Sequence, residues 1–485
     1  MSQLTNHEHL FIDGGWKSPS TQERISVISP ATEEVIGGSP SAGPSDIDLA
    51  VDAARAAFDA GPWPRMSPSE RATALGRLTS AIRDRAGPLA DMISAEVGSP
   101  RKWATHGQVS TAIAVLDVYT AMAPTYPFVE TRTGAMGNEV RVRRVPVGVV
   151  AAIVPWNAPL FVAALKLGPG LMAGCTFVLK PAPEAALDSF LLAEAVIEAG
   201  LPPGVLNIVP AGGAASELLV RHRGVDNVSF TGSTTVGRRI GELCGSDVRR
   251  CTLELGGKSA AILLDDVQLN DRTVRNLVGS AMANNGQVCA AQTRVLAPRS
   301  RYAEIVDALG SSVRALQVGD PFDDATDVGP VATSRQRDRI QQFLETGRKE
   351  GAVAVVGGGR PARLDRGWYI EPTLFSDVDN AMTIAREEIF GPVLAVIPYD
   401  GDDDAVAVAN DSEYGLTGTV WTADPERGER IAERVRAGVL AINSPAAMDL
   451  NAPFGGFKMS GVGRECGPEA VAEYTEYQTI VLPRR

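Results

Sequence analysis

Residues 149–180, VVAAIVPWNAPLFVAALKLGPGLMAGCTFVLK, contain the pattern from which the fold class can be predicted. It opens with an unbroken apolar run, Val149–Val154, and continues through an apolar segment of helical length, Leu160–Met172. A second short apolar run follows, Thr176–Leu179. Strands that are apolar at every position are typical of parallel sheets whose two faces are both covered. The stretch therefore predicts a strand, a helix and a second, parallel strand.

Part of this stretch imitates a membrane span, because residues 145–165 carry no charge over 21 positions. That length would suffice for a transmembrane helix. However, Pro155, Asn157 and Pro159 interrupt the run. We interpret it as a buried strand that turns into a helix, and we expect no membrane span.

The same alternation continues on both sides of this stretch. Apolar runs predict strands at Leu206–Val209 and Val228–Phe230, and helices are predicted at Ala185–Glu198, Ala214–Val220 and Thr234–Cys244. Residues 46–97 are rich in helical patterns, and a second alternating block covers residues 271–441. Alternating strands and helices favour parallel sheets with helices on both faces. We therefore predict two α/β domains, the first ending near Glu254.

Two segments have the alternating pattern of exposed strands instead. They are GNEVRVRRV (137–145) and YTEYQTIVL (474–482). Each is compatible with an arm that pairs with another sheet and equally with a solvent-facing hairpin.

Composition excludes several classes of partner. The chain of 485 residues has a net charge of −12, an isoelectric point near 5.0 and no block of lysine or arginine, which argues against nucleic acids and anionic membranes. Its five cysteines include no C-x-x-C pair, and its four histidines have no metal-ligand spacing, so we expect neither a disulfide framework nor a metal site. The first residues lack the pattern of a signal peptide. We expect a cytoplasmic protein.

The search for a nucleotide site starts with glycines. GPGLMAG (168–174) satisfies the G-x-G-x-x-[GA] string but follows a predicted helix, whereas a dinucleotide fingerprint follows a strand. We interpret these glycines as the end of the helix. NVSFTGSTTVGRRI (227–240) has the required order of strand, turn and helix, and its Gly232 and Ser233 would hold a pyrophosphate. Ordinary helix capping by Ser233 is the alternative.

Three further residues have side chains suited to chemistry. Lys180 ends an apolar strand, which is where parallel sheets bind ligands. Glu254 lies in an otherwise apolar strand, where a raised pKa would suit a general base, although a salt-bridged or solvent-facing glutamate on a sheet edge is the commoner case. Cys289, in GQVCAAQTR (286–294), is either a reactive thiol or a small buried residue.

The order of the motifs distinguishes these alternatives. The chain resembles the NAD(P)-dependent aldehyde dehydrogenase superfamily along essentially its whole length. The matching segments are PWNAPL (155–160), FTGSTTVG (230–237), LELGGKS (253–259), GQVC (286–289), EEIFGPV (387–393) and PFGGFKMSGVGRE (453–465).

The resemblance implies an α/β fold of two doubly wound domains with a small β oligomerisation arm. The dinucleotide-binding domain would comprise residues 1–124 and 147–254, the catalytic domain residues 255–466, and the arm residues 125–146 and 467–485. It also implies a homodimer or a homotetramer.

The same resemblance assigns the site. Cys289 matches the nucleophile that forms a thiohemiacetal and then a thioester, Asn157 matches the amide that stabilises the oxyanion, and Glu254 matches the base that activates water. Lys166 and Glu465 match positions near that base. Cofactor contacts are implied for Trp156, Lys180, Gly232, Ser233, Gly256, Glu388 and Phe390.

The cofactor is expected to be NAD, with NADP as the alternative. Members specific for NAD often carry glutamate three residues after the strand-end lysine, and here that position is Pro183, with Glu184 one step later.

The substrate prediction depends on the helix that follows Asn157. Ala158, Val162 and Leu165 share one helix face and would line an apolar tunnel for aromatic or medium-length aldehydes. The alternatives are a semialdehyde, transfer of the acyl group to coenzyme A, and a catalytically silent binding or structural relative.

Overall fold

The computed structural model describes residues 5–445 and 448–483, and three sheets organise this part of the chain. The predicted domain bounds include residues 1–4, 446–447 and 484–485, which lie outside the described residues. The first sheet has eight strands. In spatial order they are Gly461–Val462, Arg250–Glu254, Asn227–Thr231, Val149–Ile153, Thr176–Lys180, Leu206–Ile208, Leu10–Ile12 and Gly15–Lys17.

The predicted strands of the first sheet are confirmed, and its five central strands are parallel. Strand Val149–Ile153 lies in the middle and shows why its sequence does not alternate. Val150 and Ala152 pack into one core and Val149, Ala151 and Ile153 into the other, so both faces are covered. The strands that follow Val149–Ile153 in the chain are first added on one side of it and then, from Asn227–Thr231 onward, on the other side. Open α/β sheets bind ligands at such a topological switch point.

Helices cover both faces of the first sheet. The longer ones are Pro44–Asp59, Pro68–Asp84, Ala86–Val97, Ser110–Met122, Pro159–Ala173, Asp188–Ala199, Gly213–Arg221 and Thr234–Ser246. The glycines of GPGLMAG differ in part from the prediction. Gly174 does end its helix, with φ of +102°, but Gly168 and Gly170 lie inside it. An added Cβ at Gly170 would come within 2.3 Å of the Phe177 ring, so this glycine serves close packing of helix on sheet.

The second sheet confirms the alternation predicted for residues 271–441. Its seven strands are, in spatial order, Val353–Val356, Thr373–Ser376, Val393–Tyr399, Arg294–Pro298, Ala260–Leu263, Thr417–Trp421 and Val439–Ile442. All pairs except the first are parallel. The longer helices of this part are Asp271–Met282, Tyr302–Arg314, Ser334–Lys349, Gly401–Asn410 and Pro425–Ala432.

The two segments with alternating patterns pair with each other. Strand Glu139–Pro146 lies between Val129–Thr133 and Thr475–Val481 in a three-stranded antiparallel sheet, which we call the arm sheet. From the pattern of each segment we expected either an arm that pairs with another sheet or a solvent-facing hairpin. Pairing between the two segments was not part of either expectation.

Smaller elements complete the described chain. Strands Thr5–Asn6, Val35–Pro40 and Arg24–Ile28 form a small sheet, and Tyr414–Gly415 pairs with Phe457–Lys458. No helix within residues 5–445 and 448–483 combines the length and apolar character that a membrane crossing needs. Residues 145–165 instead divide between two strands and the start of a helix.

Candidate active site

The carboxyl ends of the central strands of the first sheet bring the predicted residues to one edge. Register pairs Ile153 with Lys180 and Thr231 with Glu254. Asn157 follows the first of these strands after a short turn, and Ser233 opens the helix that follows Thr231. Side chains separated by up to 100 residues of sequence thus share an edge because parallel strands all end there.

Cys289 comes from the opposite kind of edge. It lies in the turn between helix Asp271–Met282 and strand Arg294–Pro298, at the amino end of that strand. Glu388 and Phe390 likewise precede strand Val393–Tyr399, so the amino edge of the second sheet faces the carboxyl edge of the first.

Direct contacts join these two edges. The Asn157 side-chain Nδ2 donates to the Gln287 carbonyl oxygen at 2.8 Å, two residues before Cys289. The Gly257 backbone N–H donates to Glu388 Oε1 at 3.0 Å. An added Cβ at Gly257 would lie 2.5 Å from the Cys289 carbonyl oxygen, so the loop after Glu254 closely approaches the turn of the predicted nucleophile.

The Cys289 thiol lies in surroundings that disfavour its ionised form. The residue is partly buried. Desolvation, followed by the nearby carboxyl groups of Glu388, Glu254 and Glu465, raises the pKa of the Cys289 thiol to about 12. Reactive cysteines often have a lowered pKa beside positive charge, which is not the arrangement here. A nucleophilic Cys289 therefore needs a group that takes its proton or a cation that comes with a ligand.

Glu254 is buried and has no hydrogen-bond partner for either carboxyl oxygen in the part of the chain that the structure describes. Burial, with the charge of Glu465 next, raises its pKa well above the usual range of a glutamate. The salt-bridged alternative for this glutamate is wrong. A carboxyl group with a raised pKa and unpaired oxygens suits a general base that works on water.

Lys166 and Glu465 form a buried ion pair beside this carboxyl group. Lys166 Nζ lies 2.7 Å from Glu465 Oε1 and donates to Thr231 Oγ1 at 2.8 Å. Lys166 also acts electrostatically on Glu254, where its charge lowers the pKa that Glu465 raises. The structure therefore brings together the pair that the resemblance placed near the base.

Lys180 is buried at the end of its strand, and burial lowers the pKa of its amine to about 8. Its Nζ makes a long contact, 3.5 Å, with the Ala211 carbonyl oxygen. Glu184 counteracts the lowering of the Lys180 pKa, and one of its oxygens lies 3.8 Å from the guanidinium of Arg335. Lys180 and Glu184 therefore lie close together at the end of this strand. Arg335, which comes from the second half of the chain, lies beside them.

The remaining predicted cofactor residues lie on both edges. Ser233 caps helix Thr234–Ser246, with its Oγ accepting from the Val236 N–H at 3.4 Å. The rings of Trp156 and Phe390 meet edge to face with centroids 5.5 Å apart. Gly256 leaves room for Glu388, because an added Cβ there would lie 2.3 Å from Glu388 Oε2. Burial raises the pKa of the Glu388 carboxyl to about 7.

The helix predicted to line the substrate tunnel contains one residue that the pattern did not single out. Val162 and Leu165 are 6% and 2% exposed and pack into the core, whereas Phe161 and Ala158 remain half-buried at its margin. An aromatic ring is thus present on the helix that begins next to Asn157. Of the loop 444–454, residues 446–447 lie outside the described part.

Sequence reasoning missed the amides that surround Asn157. Asn284 Nδ2 donates to the Asn157 carbonyl oxygen at 2.8 Å, and Gln108 Nε2 lies 3.4 Å from the same oxygen. Two successive asparagines before Gly286 could have indicated a left-handed turn, since asparagine tolerates that conformation better than most residues. Gln108 lies in a stretch of π-helix, 104–109, for which the sequence carries no comparable signal.

Comparison with known proteins gives a consistent result over nearly the whole chain. The model of the aldehyde dehydrogenase family matches residues 16–480. Geranial dehydrogenase of Castellaniella defragrans is 47% identical over 477 residues, with 98% of this chain and 99% of that protein covered.

Two crystal structures extend this result. An aldehyde dehydrogenase of Mycobacterium tuberculosis in complex with NAD⁺ has a TM-score of 0.97 at 48% identity, with 99% of both chains covered. A cysteine-to-alanine variant of aldehyde dehydrogenase C from Pseudomonas syringae, in complex with NAD⁺ and octanal, has a TM-score of 0.94 at 41% identity, with 98% of this chain and 96% of that chain covered.

Proposed function

Because the chain belongs to the aldehyde dehydrogenase family, we propose that it oxidises an apolar aldehyde to the carboxylic acid, with NAD as oxidant and Cys289 as nucleophile. One observation carries the mechanism: the Asn157 amide is bonded to the turn that holds Cys289, across the two facing edges. Glu254, the proposed base, lies close enough to Cys289, the proposed nucleophile, for its charge to raise the pKa of that thiol.

The residues present fit a bound dinucleotide. Lys180 is a buried amine that makes a long contact, 3.5 Å, with the Ala211 carbonyl oxygen, and an ammonium has three N–H donors, so donors are available for ribose hydroxyls. The N-terminus of helix Thr234–Ser246 offers backbone N–H groups for a pyrophosphate next to Gly232 and Ser233. When bound, the oxidised nicotinamide would accept two electrons as a hydride, and its ring would bring a positive charge into the site.

The first chemical step belongs to Cys289. The thiol first gives its proton to water, which the positive charge of a bound oxidised nicotinamide would favour. Its Sγ thiolate then adds to the aldehyde carbon, and the carbonyl oxygen gains negative charge as the S–C bond forms and the C=O π bond breaks. The Asn157 amide has two N–H groups, of which one already bonds the Gln287 carbonyl oxygen. The second, together with the Cys289 backbone N–H, donates to the oxyanion.

Glu254 acts on the thioester that remains after oxidation. Its unpaired oxygens accept a proton from a water molecule, and the resulting hydroxide adds to the thioester carbon and releases the Cys289 thiolate. The raised pKa of Glu254 makes its carboxylate a stronger base than an exposed glutamate. This step favours release of a carboxylic acid over transfer to coenzyme A, which needs no activated water.

The general test is a panel of aldehydes assayed with NAD and NADP by the absorbance of the reduced cofactor. Reduced cofactor and the matching acid are expected in equal amounts. Absence of oxidation with every aldehyde would favour the silent relative, and product formation only with coenzyme A would favour the acylating alternative.

For the substrate, kcat/KM is expected to rise along straight-chain aldehydes from propanal to octanal. Each methylene buried against apolar side chains such as Phe161 and Ala158 stabilises the complex by up to about 0.8 kcal/mol, which corresponds to about fourfold. One relative is a geranial dehydrogenase and another was crystallised with octanal, and both of these aldehydes are apolar. Steady-state kinetics over the series measures this slope.

A matched pair of substrates sharpens that experiment. Butanal and succinic semialdehyde have four-carbon chains and differ by a terminal carboxylate, so their ratio reports the polarity of the tunnel. Butanal is expected to be the better substrate. A flat or falling series, or preference for succinic semialdehyde or betaine aldehyde, would contradict the apolar tunnel.

For the cofactor, kcat/KM is expected to be higher with NAD than with NADP. The Glu184 carboxylate beside Lys180 would repel a 2′-phosphate, as acidic residues do at the ribose of NAD enzymes. Glu184→Gln should therefore narrow the ratio between the two cofactors, measured with one saturating aldehyde.

The control for this ratio is Arg335→Gln. Arg335 is 87% exposed and approaches Glu184, so it offers a positive charge to a 2′-phosphate. The assignment to NAD would be wrong if kcat/KM in the unaltered protein were higher with NADP than with NAD and if Arg335→Gln abolished that preference.

For the organisation of the chain, we propose that residues 1–124 and 147–254 bind the dinucleotide and that residues 255–466 provide the catalytic thiol. Residues 125–146 and 467–485 would form the arm that joins copies in a homodimer or homotetramer. Exposed apolar side chains on the arm sheet, including Val129, Tyr477 and Val481, support this role.

A further inference from the structure

The turn before Cys289 has an unusual backbone. Asn284 and Asn285 have φ of 50° and 62°, and Gly286 follows with φ of 70°, so three successive residues are left-handed. Only glycine fits the third position, since an added Cβ would lie 2.1 Å from the Gly391 carbonyl oxygen. Non-glycine residues in this region are strained and persist where surrounding contacts require them.

The side chain of Asn284 contacts Asn157 and an oxygen that Asn157 also contacts. Asn284 Nδ2 donates to the Asn157 carbonyl oxygen at 2.8 Å and lies 3.5 Å from the Gln287 carbonyl oxygen. Because two carbonyl oxygens face this atom, the nitrogen of the amide must point toward them. The Asn157 side chain donates to the same Gln287 oxygen at 2.8 Å. Both the backbone and the side chain of Asn157 are therefore bonded to the turn that carries the thiol.

Asn285 has different partners, although it has the same side chain, conformation and burial. Its Nδ2 donates at 2.8 Å to the carbonyl oxygens of Gly98 and Pro330, and its Oδ1 accepts from the Gly329 N–H. Within residues 5–445 and 448–483, none of these partners is hydrogen-bonded to Asn157. Asn285 fastens the turn to the protein, whereas Asn284 fastens Asn157 to the turn.

We propose that Asn284 is a positioning residue that sets the direction of the Asn157 amide toward the oxyanion formed at Cys289. This inference rests on the role proposed above for Asn157. An oxyanion donor contributes only when its N–H lies close to the place where charge develops, and small displacements cost large factors in rate. Loss of Asn284 leaves Asn157 with the weaker 3.4 Å contact from Gln108 at its carbonyl oxygen.

The variants follow from the left-handed backbone. Asn284→Gly keeps that conformation without strain and removes the amide. Asn284→Asp keeps size and shape but replaces the donor by an acceptor that faces two carbonyl oxygens. Each is expected to lower kcat about ten- to hundredfold with KM changed less than about threefold, because the oxyanion exists only after binding.

The decisive test is a double-mutant cycle with Asn157→Ala, which alone should lower kcat about 10²- to 10³-fold. If Asn284 acts through Asn157, adding Asn284→Gly to Asn157→Ala should lower kcat less than about threefold further. Asn285→Gly is the matched control. Whatever factor it costs alone, it should cost again in the Asn157→Ala background, since its contacts are separate.

Two measurements distinguish positioning from loosening of the turn. Thermal unfolding shows whether each variant is folded, and the rate of Cys289 alkylation by iodoacetamide reports the thiol itself. Asn284→Gly should leave that alkylation rate within about twofold. Additive losses for Asn284 and Asn157, or a kcat loss matched by a change in alkylation, would overturn the inference. Failure of the unaltered protein to oxidise any aldehyde would instead overturn the proposed function.

Discussion

Replacing Cys289 by alanine is expected to lower aldehyde oxidation by a factor of about 10⁴ or more, because no other group in the site forms the covalent bond to the substrate. NAD affinity should stay close to that of the unaltered protein, since the predicted dinucleotide contacts come from Lys180, Ser233 and their neighbours. Steady-state assay and calorimetric titration with NAD measure the two effects separately.

The matched control is Cys251→Ala. Cys251 is also a partly buried free thiol, but it lies in strand Arg250–Glu254 and packs beside helix Thr234–Ser246. Oxidation by this variant should remain within a few-fold of the unaltered rate. Near-normal turnover in Cys289→Ala would show that the assignment of the nucleophile is wrong.

Replacing Glu254 by glutamine should separate the two halves of the reaction. Hydride transfer still occurs, so about one equivalent of reduced cofactor per site should appear as a burst. Hydrolysis then stalls, because glutamine cannot take a proton from water. Stopped-flow absorbance measures the burst, and intact mass measures the acyl group retained on Cys289.

The pH dependence of hydrolysis follows from the direction of the Glu254 pKa. Burial raises that pKa, so the carboxylate form that acts as base is lost as pH falls through a value well above the ordinary range of glutamate. Thioester hydrolysis in the unaltered protein should therefore slow on acidification.

The control for Glu254→Gln is Glu242→Gln, at an exposed position in helix Thr234–Ser246, which should show no burst. Normal turnover by Glu254→Gln would point to another base, with Glu388 the first to examine.

Local pattern was sufficient for most of the fold. The apolar runs near residues 149, 176, 206 and 228 all proved to be parallel strands, because strands covered on both faces need apolar side chains at every position. The glycines of residues 168–174 were predicted less well. Gly168 and Gly170 lie inside the helix since they allow close packing against Tyr119, on an earlier helix, and Phe177, on the next strand, and local pattern does not show which helix face these rings meet.

The candidate site was predictable to a similar extent. The order of the motifs indicated the family and identified the candidate residues, which are Cys289, Glu254, Asn157 and the cofactor residues. Their individual roles stay predictions. Lys180 and Glu254 could be placed on one edge from the strand pattern alone. The amides of Asn284 and Gln108 could not be placed, because their contacts with Asn157 join residues 127 and 49 positions apart.

The elements, the order of the strands along the chain and the residue types available for chemistry could be predicted from the sequence, since they follow from local periodicity and from ordered motifs. The raised pKa of Glu254 was also expected, from its apolar strand. The packed structure was needed to show that the amino edge of the second sheet faces the carboxyl edge of the first, which joins Asn157 to the turn of Cys289. It was likewise needed for the raised pKa of the Cys289 thiol. Both depend on desolvation and hydrogen-bond geometry, which are set by groups that packing brings close wherever they lie in the chain.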